Sequence, residues 1–113
     1  MNIKSEKKKW IDFCLGFNGV YEDYPFDDNW AVIRHTKNKK AFAFIYETEN
    51  EVWINFKAEP MQSDFWRSVY KSVIPAYHMN KVHWNTVKIP GDVPDEDIRI
   101  MAEDSFNLTR PKK

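Results

Sequence analysis

Three runs of alternating side chains, separated by short polar links, constrain this chain more than any other feature. They occupy residues 30–35, 41–46 and 51–57. In the first, Trp30, Val32 and Arg34 face one way and Ala31, Ile33 and His35 the other. In the second, Phe42, Phe44 and Tyr46 share a face. In the third, Val52, Ile54 and Phe56 oppose Trp53, Asn55 and Lys57. A period of two is that of an extended strand, whose successive side chains point to opposite faces of a sheet. The links, basic at 36–40 and acidic at 47–51, are short enough for direct returns. Two consecutive hairpins in an antiparallel meander are therefore predicted.

Helical spacing flanks the runs. Trp10, Phe13, Cys14 and Phe17 lie on one apolar face, which predicts a helix over about 5–15 with Ser5 as its N-cap. Lys7 to Lys9 oppose its dipole, so its first residues are expected to fray. Asn18-Gly19 supplies the stop. Pro60 suits the first turn of a second helix running to about 71, since its missing N–H has no helical partner there. Phe65 and Val69 are spaced for one side of it, with Trp66, Tyr70 and Val73 beside them, and Ile74-Pro75 ends it. A strand is expected at about 84–89, followed by a turn at Pro90-Gly91. Pro94 opens a last helix, whose early acids Asp95, Glu96 and Asp97 complement its dipole. Its buried stripe is read as Ile98, Met101, Ala102, Ser105 and Leu108. Helices closing one face of the sheet would leave a core of Phe42, Phe44, Ile54, Phe56, Trp66 and Met101, each contributing about 1.5–3 kcal/mol on burial.

At 113 residues the chain is expected to be one domain, residues 1–113, with 1–4 and 109–113 loose. Its single cysteine, Cys14, has no partner for an internal disulfide and should pack as a small hydrophobe. No apolar run approaches the ~20 residues of a membrane span, and no signal-like stretch follows the basic start. A cytoplasmic monomer is the expectation. Net charge is zero, with 17 basic and 17 acidic residues, which disfavours a strong non-specific nucleic-acid binder. The charges are unevenly spread, however. Arg34, Lys37, Lys39 and Lys40 crowd one link, while residues 22–28 and 92–104 are acidic.

The densest mixture of chemistry is the run His78-Met79-Asn80-Lys81-Val82-His83-Trp84-Asn85-Thr86-Val87. With Cys14-Leu15, the block from Gly19 to Phe26, Ile54-Asn55-Phe56-Lys57-Ala58-Glu59-Pro60, Pro75-Ala76-Tyr77 and Ser105-Phe106-Asn107-Leu108, it resembles the MmcQ/YjbR family of small bacterial proteins. The likeness covers nearly the whole chain. It departs at Asn18, where the family usually has proline. It departs also at Lys37-Asn38-Lys39-Lys40, where the family often has glycine. The resemblance implies an α+β fold, an antiparallel β-meander sheet with helices packed on one face, of the YjbR/CyaY-like kind. It also implies DNA binding by a double wing.

The residues argue against several chemistries. His78 and His83 are five apart with no cysteine or carboxylate between them, and a zinc site needs three or four converging ligands. No metal and no cofactor are expected. Cys14 has no local base, no serine sits on a glycine-rich elbow, and the three glycines form no phosphate-cradling loop. The chain is not expected to be an enzyme. A hairpin tip bearing Lys37, Asn38, Lys39 and Lys40 could act as a wing on double-stranded DNA. Its lysines would meet phosphates, and Asn38 or Arg34 would reach a base edge. Lys81 and Lys88, with His78 and His83, would add a second basic element. The alternative is a non-enzymatic protein-interaction or small-ligand module centred on residues 78–84. Asn80 and Asn85 suit bidentate contact with adenine and suit pinning a loop equally well. Within the motif, Trp84 is expected as a core ring and His83 and Asn85 as loop anchors, with Lys81 projecting to solvent. Both histidines are expected to hold the turn by hydrogen bonds.

Overall fold

The computed structural model describes residues 2–112. The chain runs α1 (Ile3–Leu15), β1 (Val20–Asp23), β2 (Ala31–His35), β3 (Ala41–Thr48), β4 (Glu51–Lys57), α2 (Pro60–Val69), β5 (Val73–Pro75), β6 (Trp84–Ile89) and α3 (Asp95–Thr109). The six strands form one antiparallel sheet in the order β1-β2-β3-β4-β6-β5. The meander predicted from alternation is present in β2, β3 and β4. The helices bury their apolar residues against one face, where Trp10, Cys14, Ile33, Ile54, Val87 and Met101 meet in a common core.

Two short strands were not foreseen, and both lie at sheet edges. β1 carries two acids in four residues, and β5 is three residues ending in Pro75. Neither has an apolar repeat of its own; each is extended because a neighbour supplies its hydrogen bonds. Acids and proline on an edge also discourage pairing with another chain.

The alternation in β3 is broken by a bulge. Ile33 pairs with Ala43 but Arg34 pairs with Ala41, so Phe42 is the extra residue. Phe42 therefore turns to the helices with Ala43 and Ile45 and packs on Phe17 and Phe106. Phe44 and Tyr46 stay on the opposite face, so Phe44, expected in the core, is half-buried outside it. The bulge leaves main-chain groups without ladder partners, and α3 supplies them. Ser105 Oγ donates to the Phe42 carbonyl at 2.6 Å and accepts from the Lys57 N–H at 2.8 Å.

Other boundaries moved for equally local reasons. Asn2, not Ser5, caps α1: its Oδ1 accepts the Ser5 N–H at 3.0 Å, one turn earlier than expected. Lys7, placed where the helix dipole disfavours it, donates to the Asn29 carbonyl at 2.7 Å and lies 3.7 Å from Glu47. In α2 the buried residues are Ser63 and Trp66. Phe65 and Val69, read as inward, are 50% and 48% exposed. The Trp66 ring, stacked on Tyr70, takes the inward position instead. α2 stops at Val69 because the following residues pair with β6 as β5. In α3, Leu108 is exposed and Thr109 is buried in its place. Of the ends expected to be loose, Ile3 and Lys4 lie in α1 and Thr109 closes α3, while Met1 and Lys113 fall outside the described residues.

Gly91 is required by close approach. A Cβ there would lie 2.6 Å from Ser72 Cβ and 2.7 Å from the Lys88 carbonyl. The approach lets Asp92 accept the N–H groups of Lys71 and Ser72 at 2.8 and 2.9 Å, tying β5 to the loop before α3. No helix among the described residues is long and apolar enough to cross a membrane.

Candidate binding surfaces

The basic link between β2 and β3 is fastened to the end of α3. Asn38 accepts the Lys40 N–H at 3.0 Å through Oδ1, and its Nδ2 donates to the Thr109 carbonyl at 3.0 Å. His35 Nε2 lies 2.8 Å from Thr109 Oγ1. The Thr109 hydroxyl hydrogen goes to the Ser105 carbonyl at 2.8 Å, so Thr109 accepts and His35 carries its proton on Nε2. Burial lowers the His35 pKa and the charge of Arg110 lowers it further, against a raising hydrogen bond to the Phe106 backbone. Both bonds place the turn beside Arg110, whose charge reaches His35, with Lys112 two residues further along the chain. Lys37, Lys39, Lys40, Arg110 and Lys112 are all exposed, and none has a carboxylate within ion-pair distance among the described residues. Lys39 sits at φ 63°, in the left-handed region that glycine enters more readily.

The other residues expected at a nucleic-acid surface are elsewhere. Arg34 donates to Asp23 at 2.8 Å and to the Lys39 carbonyl at 3.0 Å, so it braces the hairpin instead of projecting from it. Asn38 is likewise spent on the turn. Lys88 pairs across from Trp53 at the far end of the sheet and lies 4.6 Å over that ring. That end is roughly 17 Å along the strands from the turn. Lys81 is exposed, as expected, but lies over Tyr77 at 5.4 Å in the loop before β6. The structure thus joins Lys37, Lys39 and Lys40 to the C-terminal basic residues, and not to Lys81 and Lys88.

The motif loop, residues 76–83, is anchored largely by asparagines and by an arginine. Asn80 accepts the Val82 N–H at 3.0 Å through Oδ1, and its carbonyl accepts from His83 and Trp84. Asn85, buried, accepts from Arg67 Nε at 2.6 Å and donates to the Ser63 carbonyl at 3.3 Å. Arg67 also donates to the carbonyls of Lys81 and Trp84. One guanidinium fork thereby ties α2 to both ends of the loop's second half. Nothing in the spacing of α2 signals this, because Arg67 reaches residues 14 to 18 positions away. His83 holds the turn through its backbone, donating to Asn80 and accepting from Ala58. His78 is exposed. Trp84 is not a core ring: it stands half-buried on the helix-free face, edge-on to Phe44 at 5.5 Å. No group of three or more potential metal ligands occurs among the described residues. Burial pushes the Cys14 thiol up to about 12, leaving it without thiolate character.

That helix-free face is aromatic. Trp30 stacks on Tyr46 with ring centres 3.7 Å apart and lies edge-on to Phe44, and Tyr46 approaches Trp53. Asn55 is buried beneath them. Its Oδ1 accepts from Thr86 at 2.6 Å and from Tyr46 at 3.3 Å, and its Nδ2 lies 3.5 Å from the Met79 sulfur. Two adjoining cavities of about 360 and 390 Å³ open here, sharing Trp30 and His78. Sequence patterning had put these rings on strands and the helices on one face of the sheet, but could not show which rings would gather on the uncovered face.

Comparison with known proteins agrees with this architecture. The YjbR family model matches residues 15–108. The chain is 33% identical to YyaQ of Bacillus subtilis (strain 168), an uncharacterised protein, over 81% of this chain and 87% of that one. It is 27% identical to YjbR of Escherichia coli (strain K12), also uncharacterised, over 85% of this chain and 80% of that one. A crystal structure of a Pseudomonas syringae protein superposes with a TM-score of 0.82 at 30% identity, covering 97% of this chain and 100% of that one. Deinococcus radiodurans DR2400 gives 0.81 at 27% identity, covering 89% and 75%.

Proposed function

The chain belongs to the YjbR family, and from that premise we propose that it binds the phosphate backbone of double-stranded DNA through the basic turn between β2 and β3. The carrying observation is the attachment of that turn to α3 by Asn38 and His35, which gathers five cations, none in an ion pair among the described residues, toward one end of a neutral molecule. Two features support the reading. The carbonyl end of α3 is the negative pole of its dipole and favours the Arg110 and Lys112 charges there. Lys39 keeps a charge at a backbone position that costs about 1 kcal/mol for a non-glycine residue. With Arg34 and Asn38 committed to the fold, contacts would be to phosphate and would carry little base preference. The role is binding, with no chemical step.

The test is fluorescence anisotropy of a labelled mixed-sequence duplex at two salt concentrations. Five phosphate contacts predict a slope of log affinity against log salt of about −4 to −5. A Lys37→Ala/Lys39→Asn/Lys40→Ala variant, with asparagine where φ is positive, should bind more weakly with a slope near −2. Absent binding at low salt and tens of micromolar protein, or a variant that binds as wild type, would reject DNA as the partner.

A further inference from the structure

The helix-free groove lies on the opposite part of the sheet from the basic turn, and its charge is the reverse. Its walls are the rings of Trp30, Tyr46 and Trp53, with Glu49 lining one cavity and Asp27 the other. Glu51 accepts from Trp53 Nε1 at 2.9 Å, which holds a third carboxylate at the edge of that ring. None of these three carboxylates is in an ion pair among the described residues. An aromatic ring presents negative charge at its face, so rings rimmed by carboxylates attract cations; Asp27 Oδ1 also accepts the Asn29 and Trp30 N–H groups, both at 2.9 Å. Lys88, which lines neither cavity, lies over Trp53 at 4.6 Å and shows the same attraction operating beside the groove.

We propose that this groove binds a small organic cation of the quaternary ammonium class. A primary ammonium keeps a strong hydration shell, and the cavity of Phe26, Trp30, Phe44 and Met79 offers only Asp27 and His78 as polar side chains to replace it. An alkylated ammonium gives up water at little cost and still carries full charge to the rings. A phosphate-bearing ligand is disfavoured by the carboxylates, which separates this site from the DNA surface. Cavities of this size fall in the range of small-molecule clefts, roughly 300–1,000 Å³. The loop holding His78 and Met79 forms one bank, which gives the dense motif a role beyond its own anchoring. The site does not depend on the DNA reading and stands or falls separately.

Choline and its uncharged isostere 3,3-dimethylbutanol are titrated into the wild-type protein, followed by tryptophan fluorescence and by calorimetry. Choline is expected to bind saturably in the millimolar range, about tenfold more tightly than the isostere. Trp53→Leu should lose the preference for charge. Glu49→Gln, at an exposed turn that leaves the core untouched, should weaken choline a few-fold and leave the isostere unchanged. Equal binding of both compounds would make the groove merely apolar and overturn the proposal. So would a lack of saturable choline binding by the folded wild-type protein.

Discussion

His35 illustrates how one side chain can carry a structural duty that its neighbours in sequence conceal. It stands next to a solvated basic link, yet it is buried against Phe42 and Phe106 and donates to Thr109. Burial, reinforced by Arg110, keeps its folded pKa below the ordinary 6.5. The unfolded chain therefore binds a proton that the native state refuses between the folded pKa and 6.5. Stability rises with pH in that window, and the loss saturates below the folded pKa. Denaturant midpoints measured across pH 5 to 8 should fall on acidification through the mid-sixes, and His35→Gln should flatten that part of the profile. An identical slope in the variant would remove His35 as its source. Ser63 is a contrasting case: its buried hydroxyl has no partner among the described residues, and nothing in the structure explains it.

At the scale of elements, the bulge in β3 and the fork of Arg67 decide most of what the motif can do. The bulge sends Phe42 to the helices and leaves Phe44 and Tyr46 on the open face, so one inserted residue sets the composition of both surfaces. Arg67 fixes the loop between β5 and β6 to α2, and with it the bank of the groove. Arg67→Ala should cost about 2–3 kcal/mol, since it strands the buried Asn85 amide as well as removing charged hydrogen bonds. Arg67→Lys should recover only part, because an ammonium cannot reproduce the fork. Hydrogen exchange should report faster opening of residues 79–85 in both variants, with β2 and β3 protected as before. Exchange spread evenly over the sheet would mean that Arg67 supports the whole fold and has no special hold on the loop.

Taken whole, the molecule is dipolar: a basic end where β2 and α3 finish and β3 begins, and an aromatic, acid-rimmed groove toward the other end of the sheet. Substitutions at sites separated by more than ~10 Å and sharing no partners are usually additive. A variant combining the changes at the turn with Glu49→Gln should therefore show the DNA defect of one and the choline defect of the other, undiminished. Strong non-additivity in either titration would mean that the two surfaces are one. The sequence by itself determined the three central strands, the three helices, the buried Cys14 and the family, because each is written in local periodicity or in contiguous motif. It also showed an excess of lysine at one link, though not which charges would join it. Tertiary structure alone decided the edge strands, the inward turn of Phe42, the exposure of Phe65, and the meeting of residue 38 with residue 109. Each of these depends on hydrogen bonds and packing between groups far apart in the chain, which no local pattern encodes.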